Sequence, residues 1–190
     1  MSSNAREAIL TAAKQTAQAH GYGGLSFRDL ATAVGIKAAS IYHHFPSKAE
    51  LGAAVAKRYR EDTAAELEKM LAESDGPLRA LQDYPNIFRR SLEMDNRLCL
   101  CSFMSAEYDD LPDEVKLEVQ GFAEVNVMWL SRVLVDGGIV GPGESEKRAR
   151  SIFAAVAGAQ LLARSRSDIS VFDGLIEDYG AAGLLPGAAR

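Results

Sequence analysis

The stretch from Leu25 to Leu51, LSFRDLATAVGIKAASIYHHFPSKAEL, leaves this chain few ways to fold. Ser26 is placed to cap a helix, with Asp29 three residues on as its capping-box partner. Phe27, Leu30, Ala31 and Val34 then recur at helical spacing and give one apolar face. Gly35 closes that face, where a left-handed turn suits a residue without a Cβ. A second, shorter helix is predicted from about Ala38 to His44, with Ile41 and Phe45 turned inward. Pro46 stops it, and Ser47 with Glu50 opens a longer helix. Two short helices around a glycine turn are a helix-turn-helix.

The side chains that this pattern leaves outside point to a partner. Lys37, Ala38, Ala39 and Ser40 are small or cationic, and short side chains let a helix enter a major groove about 12 Å wide. Lys37, Tyr42, His43 and Lys48 can donate to phosphate oxygens, and the amides opening the Ser47 helix suit an anion. A formal net charge of −5 argues against nucleic acid until it is divided along the chain. Residues 1–60 hold eight Lys/Arg against Glu7, Asp29 and Glu50, a net +5, which leaves −10 on residues 61–190. A basic head on an acidic body is the charge distribution of a DNA reader.

The segment GLSFRDLATAVGIKAASIYHHFPSKAEL resembles the DNA-binding signature of the TetR/AcrR (tetracycline-repressor) family of transcriptional regulators, over most of the first sixty residues. The resemblance implies an all-α fold: a three-helix DNA-binding head over residues 1–46 and a helical effector-binding and dimerisation body over 47–190, joined by the helix of 47–73. That connecting helix is the family's lever of induction. The family's DNA contacts fall on Ser26 and Arg28 at the start of the first motif helix, and on Lys37, Ala38, Ala39 and Ser40 facing the groove. Ser40 is the candidate for a base-edge hydrogen bond, and Tyr42, His43 and Lys48 match phosphate contacts. Tyr22 and Phe27 become core residues of the head. The last two helices become the interface of a homodimer, through Ile152, Phe153, Val156, Gln160, Phe172, Leu175, Ile176 and Tyr179, with a core inside the single chain as the alternative. A two-fold dimer predicts a palindromic double-stranded operator. The family's habit is repression, relieved by a small-molecule effector.

The rest of the chain also reads as helices. The first spans about Ala5 to His20, and Arg6 near its start is an exposed, solvated cation or a phosphate contact. After Ser74-Asp75-Gly76-Pro77, one helix is predicted to about Asp95, with Pro85 kinking or interrupting it near Leu81 and widening a pocket nearby. Helices from Arg97 to Tyr108 and from Pro112 to about Asp136 follow. Beyond a glycine-rich loop come helices from Glu144 to Arg166 and from Ile169 to Ala182, then a loose tail from Leu184. Gly158 inside the first of these costs roughly 1 kcal/mol against alanine, which close approach of another helix would explain.

Tyr84, Phe88, Cys99, Phe103, Met104, Phe122, Asn126 and Trp129 are the candidates for lining an effector cavity, with ordinary core as the alternative for each. Asn126 and Trp129 stand out, because a buried amide or indole N–H needs a partner. Cys99 and Cys101, the only cysteines, lie near Arg90 and Arg97, and a thiol acidified by them would sense oxidants or electrophiles. The opposing reading is a pair of small buried hydrophobes. Nucleophile elbow, phosphate loop, dinucleotide fingerprint and metal-ligand spacing are all missing, so no catalytic residue, cofactor or metal is expected. Glu107, Asp109 and Asp110 read as carboxylates solvating a helix end. No apolar run approaches the ~18 residues of a membrane span and Met1 to His20 is no signal peptide, so the expected place is the cytoplasm.

Overall fold

A computed structural model describes residues 2–186, and among them every element is helical. The α-helices are α1 (Ser2–His20), α2 (Phe27–Val34), α3 (Ala38–His44), α4 (Lys48–Glu73), α5 (Pro77–Asp83) and α6 (Asn86–Glu93). Then come α7 (Leu100–Ala106), a single 3-10 turn (Tyr108–Asp110), α8 (Asp113–Asp136), α9 (Pro142–Arg166) and α10 (Ile169–Ala181). They form two compact units: the described residues up to Glu61 with Leu100–Phe122, and Asp62–Cys99 with the described residues from Ala123 onward. The boundary expected after residue 46 falls inside the first of these units. Both α4 and α8 contribute to each unit.

In the first unit, α1 packs on α2, α3 and α7. Ile9, Ala13, Ala17, Leu30, Ile41 and Leu51 are essentially inaccessible and make its core. Small residues on α1 allow that closeness, because alanine brings a helix surface near its neighbour without voids. The 100–122 segment is fastened to the head's helices at several points. A Cβ on Gly52 would stand 2.6 Å from the Tyr22 ring and 3.2 Å from Val115, so only glycine fits there. Arg60 donates to Glu118 through Nε and Nη2, both at 2.9 Å, and the rings of Tyr59 and Phe122 lie 5.5 Å apart.

In the second unit, α9 packs on α10 and α6, and α10 also meets α6. Pro85 interrupts the chain as its missing amide requires, but the break falls at Tyr84–Pro85, between α5 and α6, rather than near Leu81. The helix expected from Arg97 begins at Leu100, after a turn in which Asp95 and Asn96 take positive φ. Asn96 Nδ2 donates to the Arg164 carbonyl at 3.0 Å and pins that turn to the end of α9. Within the chain, a Cβ on Gly158 would meet nothing within 4 Å, so close packing inside the chain does not explain that glycine. Of the expected tail, residues 187–190 lie outside the described residues. The part before them is not loose: the amides of Leu184 and Leu185 donate to the Tyr179 carbonyl, and Leu185 is buried.

Candidate nucleic-acid interface and body interior

The Ser26 hydroxyl caps α2, accepting from the Asp29 amide at 3.4 Å. Gly35 ends the helix at φ 74° and ψ 33°, and the Ile36 amide reaches back to the Ala31 carbonyl at 3.0 Å. This left-handed turn sets the direction of α3. Ile41 is the one residue of α3 that is buried, with Phe45 just beyond it. Lys37, Ala39, Tyr42 and His43 are exposed, while Ala38 and Ser40 are half-buried at the same end. The Ser47 hydroxyl accepts from the Glu50 amide at 3.1 Å and opens α4. Each short helix is thus anchored on one side and bare on the other.

Other predicted contacts have more specific placements. The Arg28 side chain is 91 % exposed. Lys48 instead turns inward: its Nζ donates to the Gly23 carbonyl at 3.0 Å and sits 4.7 Å above the Tyr22 ring. Arg6 is exposed as expected, with its guanidinium over the Phe45 ring, 5.2 Å from its centre. Tyr22 and Phe27 are half-buried, and Phe27 meets the Tyr42 ring edge-on at 4.6 Å.

Residues 9–55 match the family model described as bacterial regulatory proteins, tetR family. Over the whole chain, the structure is similar to a TetR transcriptional regulator from Legionella pneumophila, at 31% identity and a TM-score of 0.87, covering 93% of this chain and 95% of that one. The chain belongs to the TetR family. A TetR-family regulator from Agrobacterium tumefaciens is also similar, at 28% identity and TM-score 0.89, covering 96% and 98% of the two chains. Among curated proteins, the HTH-type transcriptional repressor NemR of Escherichia coli K12 is 26% identical over 170 residues, 85% of each chain. As a TetR-family member this is a transcriptional regulator with a DNA-binding helix-turn-helix, and not an enzyme. Among the described residues no helix is long and apolar enough to cross a membrane.

Most of the candidate lining residues are buried inside this TetR-family chain. Of the eight candidate lining residues, all but Phe103 are buried; Phe103, Met104 and Phe122 fall in the first unit and the other five in the second. In the second unit, the Tyr84 hydroxyl donates to Asn126 Oδ1 at 2.9 Å, and the Tyr84 ring stacks on Trp129 at 5.8 Å. Burial, and then the nearby Cys99 thiol, push the Tyr84 phenol well above its usual range. The Trp129 indole N–H is buried without a hydrogen-bond partner. Trp129 also lines a cavity of about 350 Å³ with Leu67, Val125 and Met128, while a larger groove of about 820 Å³ runs past Val127, Val135 and Phe153.

Several residues expected at a dimer interface are committed to the chain's own core. Ile152, Val156 and Gln160 of α9 and Phe172 of α10 are buried within the single chain. The Gln160 amide, expected at the interface, instead accepts from the Cys99 N–H at 3.0 Å and donates to the Phe88 carbonyl at 2.6 Å. Phe153, Leu175, Ile176 and Tyr179 are half-buried. The outward side of α9 carries Ala154, Gly158, Leu161 and Leu162, the two leucines 58% and 50% exposed. Cys99 and Cys101 are both buried, Arg90 pairs with Glu66, and Arg97 pairs with Asp95 at 3.2 Å.

Sequence reasoning grouped Glu107 with Asp109 and Asp110 at a helix end and did not foresee its partners. Its carboxylate solvates no helix end; Oε2 accepts from the Tyr22 amide at 2.6 Å and Oε1 from the Gly23 amide at 3.1 Å. Nothing local in the sequence marks a pair 84 and 85 residues apart. The one hint was the run of glycines around Tyr22, which leaves room for an incoming side chain.

Proposed function

We propose that the protein is a dimeric repressor that holds a palindromic operator through α3 and releases it when a small molecule enters the body. One observation carries this: α3 buries Ile41 and leaves Lys37, Ala39, Tyr42 and His43 bare on a head with an excess of Lys/Arg. Ala38, Ala39 and Ser40 line the approach to base edges, with the Ser40 hydroxyl as the reading group and the alanines against thymine methyls. Ser26, Arg28, Tyr42 and His43 hold the backbone; Lys48 adds charge there from its seat on the turn. Residues 1–46 are the reading module, residues 47–190 the effector and dimerisation module, and α4 joins them. A reader of operators works where the chromosome is, in the cytoplasm. Repression is favoured by the name of the NemR relative. The exposed stripe of Ala154, Gly158, Leu161 and Leu162 on α9, with Leu175, Ile176 and Tyr179 of α10, is the two-fold contact, and there Gly158 permits the close approach that it lacks in the single chain.

A mobility-shift titration on the promoter DNA flanking the gene tests the reading. Specific retardation that weakens steeply with salt supports it. Absence of binding to any duplex at low salt removes it.

Thiol sensing is the second reading, and the burial of both cysteines opposes it. Thiol-specific labelling of the folded protein should leave Cys99 and Cys101 unmodified until denaturant is added. Rapid labelling in buffer would restore the sensor.

A further inference from the structure

We propose that Glu107 is a positioning residue for DNA binding, clamping the turn between α1 and α2 in the conformation that presents the helix-turn-helix. The inference rests on the DNA-binding reading and adds a control point to it.

Three of the four residues from Gly21 to Gly24 are glycines, with no side chain of their own to hold the turn. Gly21 sits at φ 69°, and a Cβ on it would collide with the Glu107 carboxylate. A Cβ on Gly23 would lie 3.2 Å from Oε1 of the same group. The glycines therefore do two things: they allow the backbone shape, and they make a concave seat of two successive amides for an anion. The carboxylate fills that seat, with hydrogen bonds of 2.6 and 3.1 Å. Charge-assisted bonds of this kind are among the stronger polar contacts in proteins.

The opposite edge of the turn is gripped too. The Gly23 carbonyl accepts from Lys48 Nζ at 3.0 Å, so one peptide segment is held on its amide side by a carboxylate and on its carbonyl side by an ammonium. Tyr22, between them, keeps its ring under the Lys48 ammonium. Leu25 and Ser26 follow directly, and Ser26 caps α2. A shift at the turn therefore alters the start of α2 and, through the Gly35 turn, α3. Glu107 itself lies between α7 and the 3-10 turn, in the 100–122 segment. That segment is tied to the head again by Arg60–Glu118 and by Val115 against Gly52.

Glu107→Gln is the informative change. A glutamine offers one acceptor oxygen and must aim its NH₂ donors at the second amide, so one bond is lost and a donor faces a donor. If only about one molecule in ten then keeps the competent turn, the operator Kd rises about tenfold. The slope of binding against salt should stay as in the wild type, because no phosphate contact is removed. Amide exchange at Tyr22 and Gly23 should quicken, and Glu107→Ala should behave alike. Asp109→Asn, an exposed neighbour, is the control and should change neither readout.

All constants are measured well below the melting temperature of each variant, so that loss of stability is not read as loss of affinity. A wild-type-like Kd for Glu107→Gln overturns the proposal even where its melting temperature falls, since Glu107 is then merely a structural tie. If the wild type itself retards no DNA, the DNA-binding reading fails first and takes the clamp with it.

Discussion

At the scale of single residues, what matters most is where polar atoms are forced to find partners. Tyr84 and Asn126 sit in the same apolar interior, and their mutual hydrogen bond is what makes both tolerable there. Tyr84→Phe removes the donor from Asn126 and should cost about 1–2 kcal/mol in a urea unfolding curve. The phenol also sets a pH limit. Its pKa is raised well above 10.0 by burial, so the folded state keeps a proton that the unfolded chain releases. Stability from this source is complete below about pH 10 and falls as pH rises beyond it. The loss of helical circular dichroism at alkaline pH should coincide with a step in tyrosinate absorbance. In Tyr84→Phe that step should vanish and the alkaline slope of stability should flatten. The Arg89–Asp173 pair behaves oppositely. The guanidinium holds the Asp173 carboxyl below its usual range, and its contribution fades as pH falls through that lowered value.

Among the elements, α3 shows most plainly how packing leaves a functional face behind. It has seven residues and buries one of them, so it is held by its neighbours rather than by its own helical stability. Lys37 caps its start without a side-chain bond and extends into solvent. Lys37→Ala should weaken operator binding by a similar factor on every sequence and lower the salt slope by about one. Ser40→Ala should instead relax the preference at a single base pair, which a panel of operator variants would reveal. If Lys37→Ala left the salt slope untouched, that lysine would not be a phosphate contact.

For the whole molecule, the outward face of α9 is the two-fold contact we propose. Leu161 and Leu162 leave an apolar patch that a chain acting alone would gain nothing by keeping. Replacing both with glutamate should convert the species seen by light scattering from dimer to monomer. Since a monomer engages one half-site, operator affinity should fall by at least a hundredfold, as avidity is lost. A variant that stays dimeric would move the interface elsewhere.

How much of this was legible beforehand depended on the range of the interactions involved. The caps at Ser26 and Ser47, the left-handed Gly35 and the inward Ile41 were readable, because each is settled within one helical turn of its own position. The division of charge between head and body was likewise a matter of counting. Periodicity also found the stripe of Ile152, Val156 and Gln160, but it did not say which partner that stripe meets. A single chain and a second copy bury apolar residues by the same physics. Local patterning thus determined the helices, the helix-turn-helix and its exposed end. Only the tertiary structure decided that Gln160 bridges Cys99 and Phe88, that Lys48 folds back onto Gly23, and that Glu107 closes over the Tyr22 turn. Hydrogen bonds between residues far apart in the chain leave no periodic trace, because the geometry that makes them exists only once the helices have packed.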